Sequence, residues 1–152
     1  YNWLLLSIWL GLRPFEVDGL LKAKTFKIEF NTDIKKQVLL VYQSKLMSIA
    51  EKERWKRIPI IFEEQLQCIS IIETEKIKRP LTKTVRKYIG QGITLYGGRK
   101  GFVDLMLSKG QKLEDISTWL GHKDISTTWV HYKNRIKVSY TEVPASKLKS
   151  VK

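Results

Sequence analysis

Cysteine is almost missing from this 152-residue chain: Cys68 stands alone, which excludes a disulfide within the chain and fits a reducing compartment. Its plainest role is that of a small buried apolar side chain. Histidine is nearly as scarce. His122 and His131 lie far from Cys68, no zinc-ligand spacing exists, and neither a metal nor another cofactor is expected. A G-x-x-x-x-G-K-[ST] loop and a glycine-rich dinucleotide fingerprint are both absent, as are internal repeats. Long apolar runs are lacking too. The longest, residues 3–12, is interrupted by Ser7 and Gly11 and falls far short of the ~20 residues that cross a bilayer. No basic stretch precedes it, so no signal peptide is expected.

Acidic residues are the last scarcity. Fifteen Asp and Glu face 28 Lys and Arg, a formal charge of +13 and an isoelectric point near 9.8, which makes a polyanion the expected partner. Apolar residues make up 43% of the chain and include five Trp, enough to build the core of one domain of this length.

Periodicity places the elements. Residues 3–12 read as a buried helix, and Pro14 suits the first turn of a second that carries Glu16, Val17, Leu20 and Leu21. Alternating β-branched and aromatic residues at 25–30, 37–43 and 57–61 predict a three-stranded antiparallel sheet. A charged connection, 44–56, joins the second and third strands. Helices are then expected over 62–75 and from a Thr82 cap through Tyr88, with Lys83, Arg86 and Lys87 on the polar side of the latter. Phe102, Val103, Leu105, Met106 and Leu107 mark another helix, stopped at Gly110. Leu113 to Leu120 is the next, cut off by Gly121. A last helix is expected from an Asp124 cap, with Ile125, Trp129 and Val130 inward and Tyr132 near its end.

Two strings carry more than periodicity. The first is Gly11-Leu12-Arg13-Pro14-Phe15-Glu16-Val17. The second runs from Tyr96 through Arg99, Phe102, Gly110, Leu113 and Ile116 to Leu120-Gly121-His122. Taken alone, Arg13 reads as a surface cation paired with Glu16 three positions on. Together the strings resemble the two conserved boxes of the tyrosine recombinase (phage integrase) family, G-L-R-x-x-E-[LIV] and H-x-x-R-H-x-F with a following L-G-H and a Tyr. No gap is needed between Arg99 and His122. Tyr96 stands where the family usually has His, and Lys100 where a second His often follows. The Tyr-x-x-Arg version is similar to some archaeal virus and plasmid integrases. The family's nucleophile position falls on His131, one residue before Tyr132.

The resemblance implies an α+β fold, a mainly helical tyrosine-recombinase catalytic domain with a small three-stranded antiparallel sheet. Residues 1–152 would form that domain, with 133–152 a basic tail and a separate DNA-binding domain preceding it in a longer protein. Arg13 and Arg99 would clamp the scissile phosphate of double-stranded DNA, while His122 and Tyr96 donate further hydrogen bonds. Lys45, or else Lys52, would protonate the leaving oxygen. Tyr132, with Tyr140 as second choice, would be the nucleophile. Lys52, Lys83, Arg86, Lys87 and Lys100 would contact DNA. A homo-tetramer on DNA, working in the cytoplasm at the nucleoid, is the implied assembly. Two other functions remain open: relaxation of DNA like a type IB topoisomerase, and DNA binding without catalysis.

Overall fold

A computed structural model describes residues 1–23, 25–43 and 54–122, together with Ser126, Thr128 and Val130. Helix α1 (Asn2–Leu10) is leucine- and tryptophan-rich on every side, and none of its residues is exposed. It is the axle of the domain, packing on α2 (Pro14–Ala23), α3 (Glu63–Thr74) and α5 (Gly97–Ser108). Gly11, at φ 63°, ends α1 in the left-handed conformation that only glycine adopts cheaply. The chain turns at once into α2, whose first residue is Pro14. There the proline ring presets φ and its missing N–H costs nothing. The Arg13 N–H is held by the Glu16 carboxylate at 2.8 Å, the reach-back half of a capping box.

Strands β1 (Phe26–Asn31), β2 (Lys36–Tyr42) and β3 (Trp55–Pro59) form the antiparallel sheet in that order. Each matches its expected span to within two residues. In the register, Phe26 faces Val41 and Leu40 faces Arg57. Leu39, Val41 and Ile58 on the inner face are completely buried. The same alternation sends Lys56 inward beside Val41. Asn31 Oδ1 accepts from the Asp33 and Ile34 N–H groups and shapes the β1–β2 turn.

At the start of α3, Gln65 reaches back to the Ile61 and Phe62 N–H groups and donates to the Trp9 carbonyl, so its burial leaves no polar group unmet. Helix α4 (Thr82–Tyr88) begins with Leu81, not Thr82, in the capping position, and no side chain caps it. The extended backbone ends at Leu81, so Thr82 is already the first helical residue and its hydroxyl does not serve as the cap. Val85 is the one buried residue of α4.

Helices α5 and α6 (Leu113–Trp119) close a second apolar cluster of Phe102, Met106, Ile116 and Leu120. Trp9 of α1 packs against both this cluster and the main core. Burial of a side chain such as Phe102 contributes roughly 1.5–3 kcal/mol. Helix α5 starts at Gly97, well ahead of its apolar run. A Cβ on Gly98 would sit 2.5 Å from Ser7 Oγ, so two small residues let the helices touch. Beyond α6, Ser126, Thr128 and Val130 are helical, but the inward residue is Thr128, 1% exposed, while Val130, expected inside, is 58% exposed. Two helical positions rotate a side chain by about 200°, and the one turned in, Thr128, meets His122 Nδ1 at 2.7 Å. Asp124, Ile125, Trp129 and Tyr132 lie outside the described residues.

Candidate active site

The site forms on the seam between the two apolar clusters, where α1, α2, α5, α6 and the sheet converge. Its centre is the Glu16 carboxylate, whose side chain is wholly buried. Arg13 Nη1 binds Oε1 at 3.2 Å, and Lys56 Nζ binds Oε2 at 2.8 Å. Arg99 Nη1 lies 4.0 Å from the same Oε2. Three cations thus share one carboxylate. Burial alone raises a carboxyl's pKa, but Lys56, the Arg13 N–H and Arg99 outweigh it and hold Glu16 below the ordinary range. Burial pulls the Lys56 ammonium down to about 8, with Glu16 opposing and Arg99 and Arg13 reinforcing the fall. Both partners are charged at neutral pH.

Arg99 is positioned by backbone. Nη1 donates to the Gly11 carbonyl at 2.7 Å and Nη2 to the Leu120 carbonyl at 2.8 Å. The arginine of α5 therefore ties the end of α1 to the end of α6. Burial and the neighbouring Arg13 bring its pKa down to about 10, so it stays a cation at physiological pH. Nη2 also lies 3.2 Å from His122 Nε2. Since a guanidinium only donates, Nε2 accepts, and the ring proton is assigned to Nδ1, which donates to Thr128 Oγ1 at 2.7 Å. Gly121, at φ 75°, lets α6 end close above the sheet, where a Cβ would strike the Gln43 amide and lie 3.2 Å from Lys56 Cδ.

Of the residues singled out by sequence, the structure brings Arg13, Arg99 and His122 together. Arg13 is not a simple surface cation, because its partner Glu16 is inside the protein. Tyr96, half-exposed at the head of α5, lies within electrostatic reach of Arg99. Lys100 follows Arg99 on the exposed side of the same turn. Lys83, Arg86 and Lys87 lie apart from this cluster, lining an open depression along α4 with Thr82 and Gln91. Lys45, Lys52, Tyr132, Tyr140 and His131 lie outside the described residues. Cys68 is buried in the main core, and burial, aided by Glu64, pushes its thiol up to about 12. Among the described residues no three His, Cys, Asp or Glu side chains gather where they would hold a metal ion, and no helix is long and apolar enough to cross a membrane.

Three participants escaped the sequence reading: Lys56, Gln43 and Thr128. For Lys56 a signal exists, since the alternation that turns Ile58 and Ile60 into the core turns Lys56 the same way. For Thr128 none exists, because a threonine in a helix reads equally well as solvated.

The helices gathered round a small antiparallel sheet define an α+β domain with the fold of tyrosine recombinases. Among solved structures, it is similar to the Tn1549 transposon integrase in complex with circular intermediate DNA, at 14% identity and TM-score 0.53 over 86% of this chain and 53% of that one. A second structure of that integrase with circular intermediate DNA aligns at 15% identity and TM-score 0.51, over 86% and 54%. The site-specific recombinase XerH, bound to its difH substrate before cleavage, aligns at 14% identity and TM-score 0.53, over 93% of this chain and 44% of that one. The chain spans about half the length of these structures. No family model and no curated protein matches it. An archaeal sub-branch has no support in these likenesses.

Proposed function

We propose that this chain is the catalytic domain of a tyrosine-type site-specific recombinase, cleaving and rejoining double-stranded DNA through a 3′-phosphotyrosyl link. The observation that carries the proposal is the convergence of Arg13, Arg99 and His122 from three separate elements on one seam. A phosphodiester needs this kind of cradle. Two guanidiniums bind its nonbridging oxygens in fixed geometry and neutralise charge that grows in the transition state. Tyr132, or else Tyr140, gives up its phenol proton to solvent and attacks phosphorus through the phenolate oxygen. The bond to the 5′ oxygen breaks, and a proton from Lys45, or else Lys52, leaves with it as a 5′ hydroxyl. The reverse attack by a 5′ hydroxyl reseals DNA without an external energy source. Tyr96 and His122 supply additional donors to the phosphate. Lys83, Arg86, Lys87 and Lys100, with Lys52, hold the flanking backbone. A homo-tetramer carrying two duplexes completes the assembly, in the cytoplasm at the nucleoid, with a DNA-binding domain contributed from outside these residues.

The trapping of a covalent adduct on a nicked duplex, seen on a denaturing gel, tests the proposal. Adduct is expected from the parental protein, and Arg99→Ala should form it at least ~10²-fold more slowly, the usual cost of losing a preorganised charge donor. Tyr132→Phe should abolish it. Adduct without strand exchange between two sites indicates topoisomerase-like relaxation instead, and DNA binding without adduct leaves only the binding function. Full activity of Tyr132→Phe moves the nucleophile to Tyr140.

A further inference from the structure

We propose that Lys56 is a positioning residue for the phosphate clamp: by occupying the Glu16 carboxylate it keeps Arg99 from collapsing onto that carboxylate and leaves its charge for a bound phosphodiester. The proposal rests on the recombinase reading of the site only for the identity of the phosphate.

The geometry states the competition directly. Glu16 Oε2 lies 2.8 Å from Lys56 Nζ but 4.0 Å from Arg99 Nη1. Oε1 is taken by Arg13, and Oε2 also accepts the Arg13 N–H at 2.8 Å. The hydrogen bonds of Arg99 go to neutral acceptors, the Gly11 and Leu120 carbonyls and His122 Nε2, while its ion pair with Oε2 stays long at 4.0 Å. These acceptors fix its direction without cancelling its charge. Remove the ammonium, and Oε2 becomes a buried anionic acceptor just beyond hydrogen-bond range of the Arg99 fork. A small tilt would close a full ion pair, which a buried carboxylate strongly favours. The clamp would then be spent internally.

Lys56 is suited to the part because it does not reach the surface. Its side chain is 0% exposed, so it neither meets substrate nor competes for it. Its neighbours hold it in place: Val41 opposite it on β2, and Gly121, whose close approach brings the end of α6 against the Lys56 stem and the Gln43 amide. The charged and titratable groups facing it are Glu16 of α2, Arg13 just before that helix, and Arg99 of α5. An excess of positive charge therefore surrounds one carboxylate, and that excess is what a phosphate would neutralise.

Four proteins separate this role from a merely structural one: the parental chain, Lys56→Arg, Lys56→Met and the double variant Lys56→Met/Glu16→Gln. Each is confirmed folded by its unfolding transition, then assayed for adduct formation on the nicked duplex and, independently of chemistry, for inorganic phosphate binding followed through the side-chain NMR signals of Arg99. Lys56→Met should slow cleavage by about 10²-fold and weaken phosphate binding, because Glu16 captures Arg99. The double variant should recover at least tenfold of both, since an amide cannot capture a guanidinium as a carboxylate does. Lys56→Arg should keep most activity and should lack the fall in rate expected of the parental chain as the pH rises through about 8. A folded double variant as impaired as Lys56→Met overturns the proposal, and so does a Lys56→Met protein with parental phosphate binding. If the parental chain binds phosphate in the expected order of variants yet forms no adduct, the recombinase reading fails and the positioning role stands.

Discussion

Glu16 and Lys56 are ionisable side chains with no exposed side-chain surface, and each is tolerable there only because of the other. Removing water from a single charge costs several kcal/mol, which a partner at 2.8 Å offsets. The two respond to pH in the same direction but in separate windows. Glu16 holds its proton less tightly folded than unfolded, so its contribution is present above its ordinary pKa of 4.5 and is lost as pH falls through the lower folded value. Lys56 also holds its proton less tightly when folded, about 8 against 10.5. Between those values the unfolded chain binds more protons, so stability from this residue rises with pH across that window. The gain is on the order of 3 kcal/mol, from the size of the shift in a fully buried group. Urea unfolding between pH 7 and 10.5 should show the parental chain gaining stability relative to Lys56→Met as pH rises. A difference that stays flat would mean that the ammonium is not buried as described.

Gly11 joins three elements within one residue. Its backbone ends α1 at φ 63°, and its carbonyl receives Arg99 from α5. The space where a Cβ would stand is filled by the Phe102 ring at 2.7 Å and Leu120 at 3.0 Å. Gly11→Ala should therefore destabilise the fold by roughly 2–5 kcal/mol, from about 1–2 for the left-handed backbone and about 1–3 for overpacking. It should also misdirect Arg99, so that cleavage falls more than the loss of folded protein accounts for. Gly110 provides the control. It has a similar φ of 81° with nothing within 4 Å of a built Cβ, and Gly110→Ala should cost only the backbone part, about 1–2 kcal/mol. Equal losses from the two substitutions, read by thermal unfolding, would remove the packing explanation.

At the scale of the molecule the governing quantity is the net charge of +13. The proposed clamp would neutralise one phosphate, whereas Lys83, Arg86 and Lys87 of α4 and Lys100 of α5 are exposed cations outside it. Affinity for a nonspecific duplex should fall steeply with salt, as each neutralised phosphate releases counterions and adds roughly 0.9 to the slope of log affinity against log salt. Replacing Lys83, Arg86 and Lys87 together with Gln should flatten that slope by roughly 0.9 for every phosphate that is no longer neutralised. It should leave the cleavage rate of saturated complexes near parental. Fluorescence anisotropy across a salt series measures the slope, and an unchanged value would take α4 out of the DNA interface.

Much of this architecture was determined by sequence alone, because the signals involved are local. Pro14 suits the first turn of α2, Gly121 follows the end of α6 as expected, and the apolar run at 38–42 forms the buried strand β2, whereas α1, read through residue 12, already ends at Leu10 before Gly11. The spacing of Arg13, Arg99 and His122 in two familiar boxes likewise pointed to one site. What the sequence could not decide was where charge meets charge across distance. Lys56 and Glu16 lie 40 residues apart, and an inward lysine on a strand looks like a solvated one until its carboxylate is found. Thr128 is buried and meets His122, whereas the more apolar Val130 is exposed, an order opposite to the one hydrophobicity suggests. Local chemistry determines elements and their ends; the pairing of buried ions depends on distances that exist only once the helices and sheet have packed.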